Sequence, residues 1–145
     1  MPEPAAAAVI LAFDYGFKRI GIAVGQTVTG SASPLGTVAN GPAGPDFGRL
    51  AGLVREWAPA VLVVGLPLNA DGSASDMSRA ALAFASELGS RFGLPVAEVD
   101  ERHTSREAEA ALKEARQAGS RRRVRKEHVD AAAAVLIAER YLRGA

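Results

Sequence analysis

The chain has 145 residues, 48% of them apolar, and a formal net charge of +1 from 17 basic and 16 acidic side chains, which suits one globular domain and excludes a disordered chain. It contains no cysteine, which rules out a disulfide framework, thiol catalysis and a Cys-ligated zinc or iron–sulfur centre and fits a reducing cytoplasm. No apolar run reaches the roughly eighteen residues of a membrane-spanning helix, and Glu3, the only charge before the first apolar run, has the wrong sign for a secretory signal.

Residues 1–8 read as a flexible tail on a single domain covering residues 1–145. Val9 to Phe13 is all apolar, the pattern of a buried strand. Asp14 to Phe17 reads as a turn, with Gly16 available for positive φ. Arg19 to Gly25 is a second strand, so the two form an antiparallel hairpin. Ser31 to Pro45, rich in Gly, Ser and Pro, reads as loop with a short strand near Thr37 to Ala39. Asp46 to Trp57 is a helix with Phe47, Leu50, Leu53 (or Val54) and Trp57 on one stripe, and Pro59 stops it. Val61 to Val64 is a central strand, and Gly65 to Ser75 is the loop after it. Met77 to Phe92 is a helix with Ala81, Phe84, Leu88 and Phe92 inward, capped by Gly93. Val96 to Val99 is the next strand. Thr104 to Glu107 fits a capping box, and the helix it opens ends at Gly119. Ser120 to Lys126 is a basic linker, and Glu127 to Leu142 is an Ala-rich last helix. Thirty alanines favour helices that lie close to their neighbours. This order predicts an α/β fold: a mixed five-stranded sheet, antiparallel hairpin first and parallel strands after, with helices on both faces. In such sheets ligands gather at the carboxyl ends of the parallel strands.

Acidic residues stand at three of those ends. Asp14 follows the first strand, Asp100 and Glu101 follow the last, and Asp130 lies early in the final helix. Ala134, Ile137 and Tyr141 share the helical face of Asp130, where a lone carboxylate is costly to desolvate and a metal ion or basic partner removes the cost. Each has a plainer reading: Asp14 as a turn residue, Asp100-Glu101-Arg102 as a salt-bridged loop, and Asp130 as a first-turn residue favoured by the helix dipole. Together they form an oxygen-rich set of the kind hard divalent cations need. Two such cations about 4 Å apart can activate water and stabilise the leaving oxygen of a phosphodiester.

Charge is unevenly placed. Residues 102–126 carry a net +6, and five of the six residues from Arg121 to Lys126 are basic. Such a run suits a polyanion, or else is a solvated linker. Placed between the second and third acidic positions, it favours a nucleic-acid substrate. His103 is able to orient a phosphate or water, while His128 reads as a surface residue. There is no G-x-S-x-G nucleophile elbow and no phosphate-binding P-loop.

Phe13 to Ala23, F-D-Y-G-F-K-R-I-G-I-A, resembles the opening motif D-x-G-x-K-R-I-G-[VI]-A of the YqgF/RuvX family. Val64 to Asn69 with Asp71-Gly72 resembles its second motif, Val99 to Arg102 with Thr104 and Glu107 its third, and Val129 to Ala133 its last. Order and spacing agree over about residues 9–142. Two positions depart from the pattern: Gly25-Gln26 stand where Ser-Asp is usual, and His103 where Leu is usual.

The resemblance implies an RNase H-like fold and a cytoplasmic, metal-dependent nuclease. Members are described as Holliday-junction resolvases or as nucleases that mature the ends of pre-16S ribosomal RNA. It implies Asp14, Glu101 and Asp130 as the catalytic and metal-binding set for two Mg²⁺ or Mn²⁺ ions. Asp100, His103 and Thr104 would be accessory; strand alternation turns Asp100 away from Glu101. Lys18, Arg19, Arg102, Arg121, Arg122, Arg123, Arg125 and Lys126 are the expected nucleic-acid contacts. Structured RNA is the favoured substrate, branched DNA the alternative, and symmetric cutting of a junction would favour a homodimer. Two other classes compete. A non-catalytic nucleic-acid module would not need the carboxylates, and an actin-like ATPase would need a second domain.

Overall fold

The computed structural model describes residues 8–100 and 126–144, the side chains of residues 126–130 excepted. The tail residues 1–7, the capping-box helix after Thr104 and most of the basic linker lie outside the described residues. Ala8 is held, its N–H donating to Thr27 Oγ1 at 3.1 Å.

The elements follow from the buried runs. Strand β1 spans Val9–Tyr15, β2 Arg19–Gln26, β3 Ser31–Gly41 and β4 Gly44–Pro45; helix α1 is Phe47–Trp57; β5 is Val61–Leu66; helix α2 is Asp76–Phe92; β6 is Val96–Asp100; and helix α3 is Lys126–Leu142. One sheet runs β4-β3-β2-β1-β5-β6. β1 to β4 pair antiparallel in sequence, and β5 and β6 add parallel to β1. The expected five strands are present, with the two-residue β4 as a sixth.

The strand β3 is much longer than the sequence suggested. It has eleven residues, S-A-S-P-L-G-T-V-A-N-G, eight of which pair with β2. Among the described residues most of its outer edge has no strand beside it, and an edge tolerates Pro34 and the small polar residues that a central strand would not. The register skips Leu35 between Ile22↔Gly36 and Ala23↔Pro34. This is a bulge that Gly36, at φ 122°, accommodates.

Alternation along the strands sorts the core into two layers. Leu11, Phe13, Ile20, Ile22, Val24, Leu62 and Val64 face α1 and α2. Ile10, Ala12, Ala23, Val63 and Val99 face α3. The first layer is built of large side chains, each contributing about 1.5–3 kcal/mol when fully buried. The second is small on both sides: Gly21, Ala23 and Gly25 on β2 meet Ala131, Ala134 and Ala138 of α3, all buried. A Cβ on Gly25 would stand 3.0 Å from Ile10 Cγ1 and 3.1 Å from Leu142 Cδ1, so the end of α3 sits directly on the start of β1. Arg140 ties the helix to β6 by donating to the Asp100 carbonyl oxygen at 2.5 Å.

Helix ends follow the expected chemistry. Asp46 caps α1 by accepting from the Arg49 N–H at 3.1 Å. Ser75 and Ser78 form a reciprocal cap on α2, and Gly93 closes that helix at φ 63°. At the end of α1 it is Ala58, left-handed at φ 45°, that terminates the helix one residue before the expected stop at Pro59.

Candidate active site

The carboxyl ends of β1, β5 and β6, the β1–β2 turn, the end of β3 and the starts of α1 and α2 all lie along one rim of the sheet. Asp14 stands on that rim inside β1, where the sequence had placed it in the turn. It is a strand residue because the hairpin ladder continues past it, pairing Asp14 with Gly21 and Tyr15 with Ile20. It is half-buried and in phase with Ile10 and Ala12, hence on the α3 face.

The neighbours of Asp14 in the sheet are both glycines. Gly21 is its partner on β2. Gly65 is the next position of β5 after the pair Phe13↔Val64, and itself pairs with Val99 of β6. No side chain flanks the carboxylate from either adjacent strand. Both glycines are themselves buried, so what their missing side chains allow is close packing over the sheet beside Asp14. Alternating small residues in R-I-G-I-A-V-G were the sequence signal for this feature.

Asp100 is the last residue of β6, in phase with Val96 and Glu98 and opposite to Val99. It therefore belongs to the α1/α2 face, across the sheet from Asp14. Glu101, Arg102, His103, Thr104, Arg121, Arg122, Arg123 and Arg125 lie outside the described residues. Asp130 and Lys126 are placed by their backbone in the first two turns of α3. Ala134, Ile137 and Tyr141, the residues that spacing groups with Asp130, do pack on the sheet. Among the described residues no three His, Cys, Asp or Glu side chains come together.

The turn that follows Asp14 is rigid. Gly16 is needed there for close approach and not for the positive φ expected of it: a Cβ would lie 2.6 Å from the Arg19 carbonyl oxygen. Asn40, on the end of β3 and only 6% exposed, donates from Nδ2 to the Gly16 carbonyl at 2.7 Å. Its backbone N–H donates to the Lys18 carbonyl at 3.0 Å. Lys18 is exposed and Arg19 half-buried. Asn40 was not legible in the sequence, since the atoms it holds are 24 positions away. Asn40→Ala strands a carbonyl and should cost about 2 kcal/mol, a fall of roughly 4–8 °C in Tm, read by thermal unfolding.

Beside the turn on the same rim is the loop after β5. It is held by its own side chains: Asn69 Nδ2 donates to Ser73 Oγ at 3.0 Å, the Ser73 N–H to Asp71 Oδ1 at 2.9 Å, and Ser75 Oγ to the Pro67 carbonyl at 2.7 Å.

A mixed sheet with this strand order, with, among the described residues, two helices on one face and one on the other, and an acidic residue on the central strand define an RNase H-like α/β protein. Thermus thermophilus RuvC, solved in complex with a Holliday junction substrate, superposes with a TM-score of 0.56 at 18% identity, covering 94% of each chain. The yeast mitochondrial Holliday junction resolvase Ydc2 superposes with a TM-score of 0.51 at 13% identity, covering 92% of this chain and 77% of that one. Both show the fold.

The sequence profile of the family described as "RuvX: Holliday junction resolvase" matches residues 8–144, and the chain belongs to this RuvX (YqgF) family. A Burkholderia lata protein is 48% identical over 135 residues, 93% of this chain and 89% of its own length. One from Chromohalobacter salexigens is 48% identical over 133 residues, 92% and 88%. Both carry the name "Putative pre-16S rRNA nuclease". Among the described residues no helix is long and apolar enough to cross a membrane.

Proposed function

We propose that this chain is a metal-dependent nuclease that hydrolyses phosphodiester bonds in RNA, its substrate being the 5′ end of pre-16S ribosomal RNA in the cytoplasm. The observation that carries the chemistry is Asp14, half-buried on the central strand between Gly21 and Gly65, at the rim where β5 and β6 also end. The substrate follows from the relatives that share nearly half of its residues.

Asp14, Glu101 and Asp130 are the proposed ligand set. Asp100 belongs to the opposite face, which leaves Glu101 as the acidic residue of that pair. Three carboxylates are an all-oxygen donor set suited to Mg²⁺ or Mn²⁺. Ions bound there would supply activation of a water and charge stabilisation at the departing oxygen. Gly21 and Gly65 put no side chain beside Asp14 from either adjacent strand. Lys18, Arg19, Arg102 and the cluster Arg121, Arg122, Arg123, Arg125 and Lys126 hold phosphates, which positions the chain without reading bases. His103 and Thr104 orient the phosphate or the water.

The test is digestion of a 5′-extended 16S precursor, single-stranded RNA and a four-way DNA junction, each with Mg²⁺, Mn²⁺ or EDTA. The precursor should be shortened with either metal and left intact in EDTA. Preferred cutting of the junction would instead make the chain a resolvase, and a homodimer would then be expected. Cleavage of none would make it a non-catalytic nucleic-acid module.

A further inference from the structure

We propose that Phe17 is a stacking platform for one unpaired base of the RNA strand held at Asp14, an inference that rests on the nuclease reading above. Phe17 is 58% exposed at the tip of the β1–β2 turn, three positions after Asp14. Its Cα is therefore within about 10 Å of that residue's, the reach of three extended residues.

The ring is exposed yet braced. It meets Tyr15 edge-on, with centroids 6.3 Å apart and planes at 81°. Tyr15 in turn lies 5.2 Å from Phe84, and Phe84 lies 5.8 Å from the buried Phe13. A ladder of rings thus runs from the core to the tip. The backbone on either side of Phe17 is fixed by the two Asn40 hydrogen bonds, to Gly16 and to Lys18. An aromatic face presented in a set orientation costs little entropy to use.

Its neighbours identify the occupant. Lys18, next in the chain, is an exposed cation, and a cation beside an aromatic ring is the pairing that single-stranded nucleic acid selects. The other exposed large hydrophobics among the described residues are Val28, in the turn at the opposite end of the hairpin, and Leu82, midway along α2. Among the described residues Phe17 is therefore the one widely exposed large apolar side chain at this rim. That fits a base, and falls far short of the roughly 1,000 Å² of a stable protein interface.

Position agrees. Asp14 belongs to the α3 face and Tyr15 to the α1/α2 face, and Phe17, at the tip of the turn, meets Tyr15 on the α1/α2 side. A strand draped over the rim sets a phosphate on one side and its adjoining base on the other. A base within a duplex has both faces covered and cannot use the platform. Phe17 therefore selects for unpaired nucleotides at the cleaved bond.

The test uses a short oligoribonucleotide that the wild-type protein cleaves, with 2-aminopurine placed on each side of the cleaved bond. It is bound to the uncut complex of Asp14→Asn, alone or with Phe17→Ala, Phe17→Leu or Phe17→Trp. Asp14→Asn alone should quench the fluorescence at one of the two positions. Phe17→Ala and Phe17→Leu should abolish the quenching and weaken single-strand binding about tenfold, with blunt-duplex binding unchanged. Phe17→Trp should restore both. On the active protein, Phe17→Ala should raise KM about tenfold and leave kcat in place. Equal quenching and equal affinity in all four proteins would overturn the platform, while metal-dependent cleavage by the wild type would still uphold the nuclease reading. A wild-type protein that neither binds nor cuts RNA would overturn both.

Discussion

Asp14→Asn should fold as the wild type does, bind RNA with unchanged affinity and cleave it about a thousandfold more slowly, a loss of roughly 4 kcal/mol in transition-state stabilisation. Asparagine keeps the shape of the side chain, and its neighbours Gly21 and Gly65 present no side chain for it to strain against. Tm should therefore stay within about 2 °C, because the residue takes no part in the large-residue core. What asparagine removes is the charge that makes the oxygen a good ligand for a hard cation. Binding should survive because the cations proposed to hold the phosphates are elsewhere, at Lys18, Arg19 and the basic run from Arg121 to Lys126. Single-turnover cleavage, filter binding and thermal unfolding on one preparation check the three statements together. Cleavage within threefold of wild type would remove Asp14 from the chemistry.

Phe13→Ala should be the opposite kind of variant, costing about 3–5 kcal/mol of stability out of the roughly 5–15 kcal/mol that hold a domain together. Phe13 is fully buried, and its ring meets the edge of Phe84. Phe84 is the hub that Tyr15 and Phe47 also touch. Truncation leaves a cavity under the strand that carries Asp14, and the tightly packed neighbours close over it only in part. Tm should fall by roughly 6–20 °C, whereas Phe17→Ala at the exposed end of the same ladder should cost no more than about 1 kcal/mol. Urea unfolding of the two variants side by side measures the contrast. Equal losses would mean that the rings do not form a core-to-surface series.

The parts of this fold that sequence alone revealed are those in which one local pattern decides the outcome. Three strands announce themselves as V-I-L-A-F, R-I-G-I-A-V-G and V-L-V-V, because a strand in the middle of a sheet must be apolar or small, and V-A-E-V, the last strand of the described sheet, is a short apolar-rich run between turn signals. The α1 and α2 stripes at Leu50, Ala81, Phe84 and Leu88 were legible for the same reason, and all four residues are buried. The strand β3 was hidden because an edge strand carries Ser, Pro and Gly without penalty. Its length is dictated by β2, which needs a partner for each of its residues.

At the site, charge and chain position made Asp14 a candidate, and strand phase turned Asp100 away from Glu101; the folded sheet puts Asp100 on the face opposite Asp14. The supports of the turn were not legible. Asn40 reaches Gly16 across 24 positions, and Tyr15 leans on Phe84 across four intervening strands and a helix. No local pattern encodes either contact. Gly16 shows the limit from another side. The residue type was right for a turn, but the reason is the Arg19 carbonyl pressed against it, which only the folded hairpin reveals.

The most direct measurement is a Mn²⁺ titration followed by electron paramagnetic resonance, with the wild type beside Asp14→Asn, Glu101→Gln and Asp130→Asn. If the three carboxylates form one centre, the wild type binds two ions about 4 Å apart and shows a spin-coupled spectrum. Each substitution then abolishes the coupling while the protein stays folded. Isolated, uncoupled Mn²⁺ in the wild type, or coupling that survives any one of the three substitutions unchanged, would contradict the shared centre.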